Sequence, residues 1–168
     1  MNFSEAFKLL LGHEGGYTND PRDPGNWTGG KVNSGELLGT KYGVAASAYP
    51  KEDIKNLTLE RAQQIYKRDY WDAIRVDELP SPARFSIFDA AVNSGVAQAT
   101  KWLQRAVGTK DDGIIGPQTV AAALAVDPYR LASLFNGQRL KFMTELKNFD
   151  VYGKGWARRI AENLINAG

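Results

Sequence analysis

The sequence predicts a mainly α protein of two helical lobes, with a long loop and a small hairpin after the first helix. Three observations predict it. Apolar residues recur at helical steps from Phe3 to Leu11 and again through most of the chain after Thr58. Residues 18–50 concentrate Gly, Asn, Asp, Pro and Ser, with pairs such as Asp20-Pro21, Asp23-Pro24 and Pro24-Gly25 that make successive turns. Helix openers (Thr58, Ser81-Pro82, Gly116-Pro117, Asp127-Pro128) and closers (Asn93-Ser94-Gly95, Gly108) punctuate the remainder.

In chain order, Asn2 and Glu5 form a capping box ahead of a first helix whose apolar face is Phe3, Phe7, Leu10 and Leu11. Gly15-Gly16 is the expected stop. Glu14 then sits at the negative end of the helix dipole, which disfavours a carboxylate and strengthens the carboxyl's hold on its proton. The alternative is an ordinary solvated glutamate at a helix end. The aromatics Tyr17, Trp27, Tyr42 and Tyr49 argue that the long loop is ordered. Extended segments near Lys31-Val32 and Tyr42-Gly43-Val44 predict the hairpin. Helices follow from Thr58 to about Ala73, from Ser81 with Phe85, Phe88, Ala91 and Val92 on one face, and from about Ala97 to Val107. Another runs from Gly116-Pro117 to Ala125, and a longer one from Asp127-Pro128 is divided by Gly153-Lys154-Gly155 from a last helix carrying Trp156, Ile160 and Leu164. A soft boundary near residue 95 separates lobes 1–94 and 95–168 of one globular unit.

The totals exclude several chemistries. A chain of 168 residues with 43% hydrophobic and 24% charged residues supports one core. With no cysteine there is neither a disulfide nor a thiolate nucleophile, and with His13 as the single histidine a metal site is not expected. The net charge of +2 offers little to nucleic acid. No apolar run approaches the roughly 18 residues of a membrane helix. The N-terminus, lacking a basic and a long apolar region, does not read as a signal peptide. Carboxylates remain as the main catalytic candidates. Glu14 and Asp23 are separated by eight residues of turn-rich chain that can fold back on the helix. Paired carboxylates are the usual equipment for breaking a glycosidic bond: one protonates the leaving oxygen, the other attacks or activates water. Asp20 reads as a turn former.

The stretch His13-Glu14-Gly15-Gly16-Tyr17-Thr18-Asn19-Asp20-Pro21-Arg22-Asp23-Pro24-Gly25, followed by Thr40-Lys41-Tyr42-Gly43-Val44, resembles the signature of glycoside hydrolase family 108. That family includes phage endolysins and bacterial "secretion activator" lysozymes, N-acetylmuramidases that cut peptidoglycan. The resemblance continues through Ile65–Asp72 and Phe88–Gly95. Trp102–Gly108 and Asp111–Thr119 are similar to the predicted peptidoglycan-binding half that accompanies the catalytic half. It implies a lysozyme-like fold, Glu14 as general acid and Asp23 as the second carboxylate. A threonine is implied as third catalytic residue. Thr40 fits the local motif and Thr28 fits the spacing, because Asn26 to Gly39 lengthen the usual step; Thr40 is favoured, as a hydroxyl that positions water.

Around these, Tyr17 and Tyr42 are candidates to pack against sugar faces or to fill the lobe's core. Asn93 either caps its helix or hydrogen-bonds an N-acetyl group. Tyr70-Trp71 read as core, and Asp111-Asp112-Gly113 as a turn rather than a calcium loop. Seven cations between Arg130 and Arg159 make either a solvated face or a weak contact with an anionic envelope. The expected protein is a monomeric peptidoglycan-degrading endolysin that needs no cofactor and binds no nucleic acid. It is held in the host bacterial cytoplasm until a separately encoded membrane lesion admits it to the wall. The rivals are a non-catalytic peptidoglycan-binding module and a hydrolase of chitin or chitosan.

Overall fold

A computed structural model describes residues 1–12 and 15–167. His13 and Glu14, on which the general-acid assignment falls, lie outside the described residues. The chain forms two compact units, one of residues 7–66 and one of residues 1–6 with the chain from Lys67 onward. Helices α1 (Phe3–Leu11), α2 (Leu59–Tyr66), α3 (Ser81–Ser94), α4 (Val96–Val107), α5 (Pro117–Ala125), α6 (Pro128–Thr144) and α7 (Phe149–Ile165) carry the fold, and the two-residue strands β1 (Thr40–Lys41) and β2 (Val44–Ala45) form its sheet. The protein is mainly α, as its sequence predicts.

The caps behave largely as their residue types require. Asn2 and Glu5 close the capping box, each side chain accepting the other's backbone N–H at 3.0 and 2.8 Å. Thr58 and Asp127 cap α2 and α6, accepting the N–H of Arg61 at 3.1 Å and of Arg130 at 2.9 Å. Helix α1, however, ends at Leu11, where Gly12 turns left-handed with φ +56°. The stop expected at Gly15-Gly16 is therefore displaced to Gly12. Ser81 does not cap α3; its hydroxyl accepts from the Met1 ammonium, and Pro80 occupies the cap position.

In the unit of residues 7–66, β1 and β2 pair antiparallel, Thr40 opposite Ala45 and Lys41 opposite Val44. Tyr42 and Gly43, at φ +51° and +74°, supply the two positive φ values of a type I′ turn. Residues Lys31-Val32, expected to be extended, lie in a turn completed by Asn33 at φ +63°.

In the other unit, α3 is the central element. Phe85, Ser86, Ile87, Phe88, Asp89, Ala90 and Ala91 are all buried, so α3 has no solvent face along this stretch, unlike the one-faced helix its apolar spacing suggests. It packs on α4, α6 and α7. Phe3, Trp71 and Phe88 meet edge to face, with centroids 5.4–5.9 Å apart. Trp71, which is fully buried, is core as expected. It belongs to a π-helical turn, Lys67–Asp72, where a continuous α-helix from Thr58 was expected. The predicted break at Gly153-Lys154-Gly155 is absent and α7 runs through it. A Cβ on Gly153 would stand 2.8 Å from the Phe149 ring, so glycine there admits the ring one turn away rather than ending the helix.

Asp89 is the charged centre of this core. Its carboxylate accepts from Arg139 at 2.7 Å, from Arg159 at 2.6–3.1 Å and from Asn163 at 2.8 Å, joining α3 to α6 and α7. Burial by itself pushes the carboxyl up. The Arg159 hydrogen bond, the charges of Arg139 and Arg159, and the Asn163 amide outweigh it and hold Asp89 below the usual carboxylate value. Two of the seven C-terminal cations are thus spent internally, and Arg139, fully buried, is no part of a solvated face.

Candidate active site

The loop of residues 15–50 is assembled on one buried amide. Asn26 has no exposed surface. Its N–H donates to the carbonyl of Asp23 at 3.2 Å, and its own carbonyl accepts the N–H groups of Leu38 and Gly39, each at 3.0 Å. Its Nδ2 donates to the Asp20 carbonyl at 3.0 Å, and its Oδ1 accepts the Thr40 hydroxyl at 2.7 Å. One side chain therefore ties the Asp20–Asp23 turn to strand β1. Nothing periodic in the sequence marks it; the only signal is an asparagine directly after the Asp-Pro-Gly turn.

Asp23 is exposed and caps the short 3-10 turn Pro24–Asn26, its Oδ1 accepting the Gly25 N–H at 2.8 Å. Asp20 is the turn former expected. The Arg22 guanidinium bonded to it, helped by the Arg22 N–H, holds its carboxyl down at about 2. It is ionised throughout the range in which a general acid must keep its proton. The Trp27 indole N–H donates to the Pro21 carbonyl at 2.9 Å and pins the far side of the same turn.

Thr40 and Thr18 exchange both backbone hydrogen bonds, at 2.8 and 2.9 Å. Together with Leu11, Gly15, Gly16 and Tyr42 they line a groove of about 310 Å³. A second groove of about 530 Å³ shares Leu11, Gly15, Gly16 and Tyr42 and extends past Phe7 and Gln63. Two glycines make the groove possible. A Cβ on Gly15 would stand 2.8 Å from the Tyr42 ring, and one on Gly43 would stand 2.3 Å from the Tyr66 hydroxyl. That hydroxyl donates to the Tyr42 carbonyl at 3.2 Å, and Lys41 Nζ lies 5.5 Å from the centre of the Tyr42 ring, so the ring is fixed at the groove wall.

Of the residues singled out from sequence, Thr40 and Tyr42 come together beside Gly15 and Gly16. Tyr17 does not line that groove. It is exposed and lines a separate one of about 540 Å³ with Leu38, Pro50, Lys51 and Lys55, its ring resting against Gly39. Thr28 is committed to the inserted segment, where its hydroxyl accepts the Glu36 N–H at 2.9 Å. Asn93 belongs to the other unit. With its amide oxygen turned to Arg159, it accepts from Nε at 3.3 Å and Nη1 at 3.1 Å, which extends the Asp89 cluster. Asp111, Asp112 and Gly113 form the expected turn: Asp111 pairs with Arg105 at 2.7 Å, and the Gln104 amide brackets Asp112 and Gly113.

The glycosyl hydrolase 108 family profile matches residues 7–95, and a profile described as a predicted peptidoglycan domain matches residues 98–161. The solved structure of Brucella abortus SagA is similar over 98% of this chain and 92% of its own, with 32% sequence identity and a TM-score of 0.79. No curated protein matches. Over the span that builds the groove, and with a likeness that extends along nearly the whole fold, the chain belongs to glycosyl hydrolase family 108.

Proposed function

We propose that the protein is an N-acetylmuramidase that hydrolyses the β-1,4 bond between N-acetylmuramic acid and N-acetylglucosamine in peptidoglycan. One observation carries the reading most: the groove lined by Gly15, Gly16, Thr18, Thr40 and Tyr42 opens beside the chain that directly follows Glu14. Glu14 is the general acid and protonates the bridging oxygen. Asp23 stabilises the oxocarbenium-like transition state and, with Thr40, places the attacking water. The Tyr42 ring offers its face to a sugar, and Tyr17 and Asn93 are assigned to substrate binding. Functionally, residues 1–94 form the catalytic lobe and residues 95–168 bind peptidoglycan, a division supported by the predicted peptidoglycan domain at residues 98–161.

Mass spectrometry of purified peptidoglycan sampled early in digestion tests the bond. Products ending in reducing N-acetylmuramic acid are expected. Products ending in reducing N-acetylglucosamine would reject the muramidase assignment, and sedimentation with the wall without new reducing ends would favour a binding module. Turnover of defined chitin oligosaccharides in preference to peptidoglycan would favour the chitinolytic reading. We further propose an endolysin role, one of the two that the family resemblance covers, with the enzyme retained in the host cytoplasm until a membrane lesion forms. Fractionation that finds it at the wall of intact cells would support a bacterial or prophage wall hydrolase instead, the reading that the likeness to a Brucella protein favours.

A further inference from the structure

We propose that Asn26 is a positioning residue that fixes the Thr40 hydroxyl as a hydrogen-bond acceptor toward the attacking water; this rests on the assignment of Thr40 above. The amide has one orientation. Its Nδ2 must face the Asp20 carbonyl, to which it donates at 3.0 Å, so Oδ1 faces Thr40. A threonine hydroxyl has one proton and two lone pairs. The Thr40 proton is given to Oδ1 over 2.7 Å, while the Thr40 backbone N–H and carbonyl are both engaged with Thr18. Thr40 lines the groove, and with its proton committed the hydroxyl has only lone pairs left to offer. A water bound there must donate to it.

That polarity matters for the reaction. A water that donates one hydrogen to Thr40 and the other to the Asp23 carboxylate keeps an oxygen lone pair for the anomeric carbon. The new C–O bond forms from that pair, and the glycosidic C–O electrons go to the leaving oxygen, which takes the Glu14 proton. The proton lost by the water goes to Asp23. A Thr40 hydroxyl without Asn26 is free to rotate and donate to the water, which draws electron density from the attacking oxygen and leaves one of its hydrogens without the acceptor that aims it. The Asn26 side chain is fully buried and holds Thr40 by one hydrogen bond and the Asp20 carbonyl by another, so it ties the Thr40 hydroxyl to the turn that carries Asp23.

The test is a double-mutant cycle on the full chain with purified peptidoglycan, reading kcat and KM, with folding checked by circular dichroism and thermal melting. Asn26→Leu, which keeps volume and removes the acceptor, should lower kcat about ten- to hundredfold with KM within about twofold. In a Thr40→Val background the same substitution should cost nothing further, because it acts through a hydroxyl no longer present. Asn26→Asp keeps both contacts only in its protonated form, one oxygen accepting from Thr40 and the other donating to the Asp20 carbonyl, so it should retain most of kcat at acid pH and lose it as the buried carboxyl ionises; it carries the test if Asn26→Leu does not fold. Wild-type kcat in Asn26→Leu, losses that multiply in the double variant, or a kcat collapsed even at acid pH in a folded Asn26→Asp would each overturn the proposal. Full activity of Thr40→Val would remove Thr40, and this inference with it. Loss of Glu14 function is read separately, from Glu14→Gln.

Discussion

Each unit of the protein buries a polar hub, and the two hubs are built from different chemistry. In residues 7–66 the hub is Asn26, neutral, satisfied mainly by backbone groups of a turn and a strand within fourteen residues of it. In the other unit it is Asp89, charged, satisfied by side chains fifty to seventy-four residues away on α6 and α7. A neutral amide is inexpensive to bury once its hydrogen bonds are made, so it suits a loop that must hold a groove in shape. A buried carboxylate is tolerable only with its counter-charges in place, so it ties helices together and penalises any arrangement that separates them. The contrast assigns catalysis-sensitive positions to the first hub and stability-sensitive positions to the second.

The largest expected effect is on the general acid. Glu14→Gln should cut turnover of peptidoglycan by about 10²–10⁴-fold, the usual contribution of a general acid, while the melting temperature stays within a degree or two. A folded Glu14→Gln variant with undiminished activity would take that residue out of its assigned role. The second hub should respond in the opposite way. Asp89→Ala leaves two guanidiniums without their carboxylate and should destabilise the fold by about 3–5 kcal/mol in urea titration, with kcat per folded molecule unchanged.

Acid sharpens the same contrast. The folded-state pKa of Asp89 is depressed, so in the pH interval between its folded and unfolded values the unfolded chain binds the extra proton. The stabilisation is complete above the ordinary carboxylate value of about 4 and is lost as pH falls through the lower folded value. Urea midpoints of the parent protein should therefore drop below about pH 4, and those of Asp89→Asn should drop less. An identical acid response in both would contradict the ion-pair account.

A smaller effect is expected at Gly39, where φ is +85° and a Cβ would stand 2.4 Å from the Thr18 carbonyl. Gly39→Ala should cost about 1–3 kcal/mol and also lower kcat, because relief of the clash moves Thr18 against Thr40. The smallest concerns the exposed Asp20–Arg22 pair, on the same turn as Asp23 but solvated. Asp20→Asn should leave activity within about twofold, since the hub uses the backbone carbonyl of Asp20 and not its carboxylate.

The order of helices, the capping box at Asn2 and Glu5, the cap at Asp127 and the family motif around Gly15–Gly25 were all legible from sequence, whereas Tyr42-Gly43, expected to be extended, forms the turn of the hairpin. Each legible feature is a relation between neighbours, set by periodicity, by a side chain reaching its own helix end, or by backbone freedom within a turn. Tertiary packing decided the rest. It carried α7 through Gly153 to make room for the Phe149 ring. It set Tyr17 and Tyr42 in separate grooves and drew Asn93 to Arg159. It gave Asn26 and Asp89 partners that no local pattern announces, because a hydrogen bond spanning fourteen to seventy-four residues depends on where whole elements come to rest, and that is fixed by packing rather than by the spacing of residues along the chain.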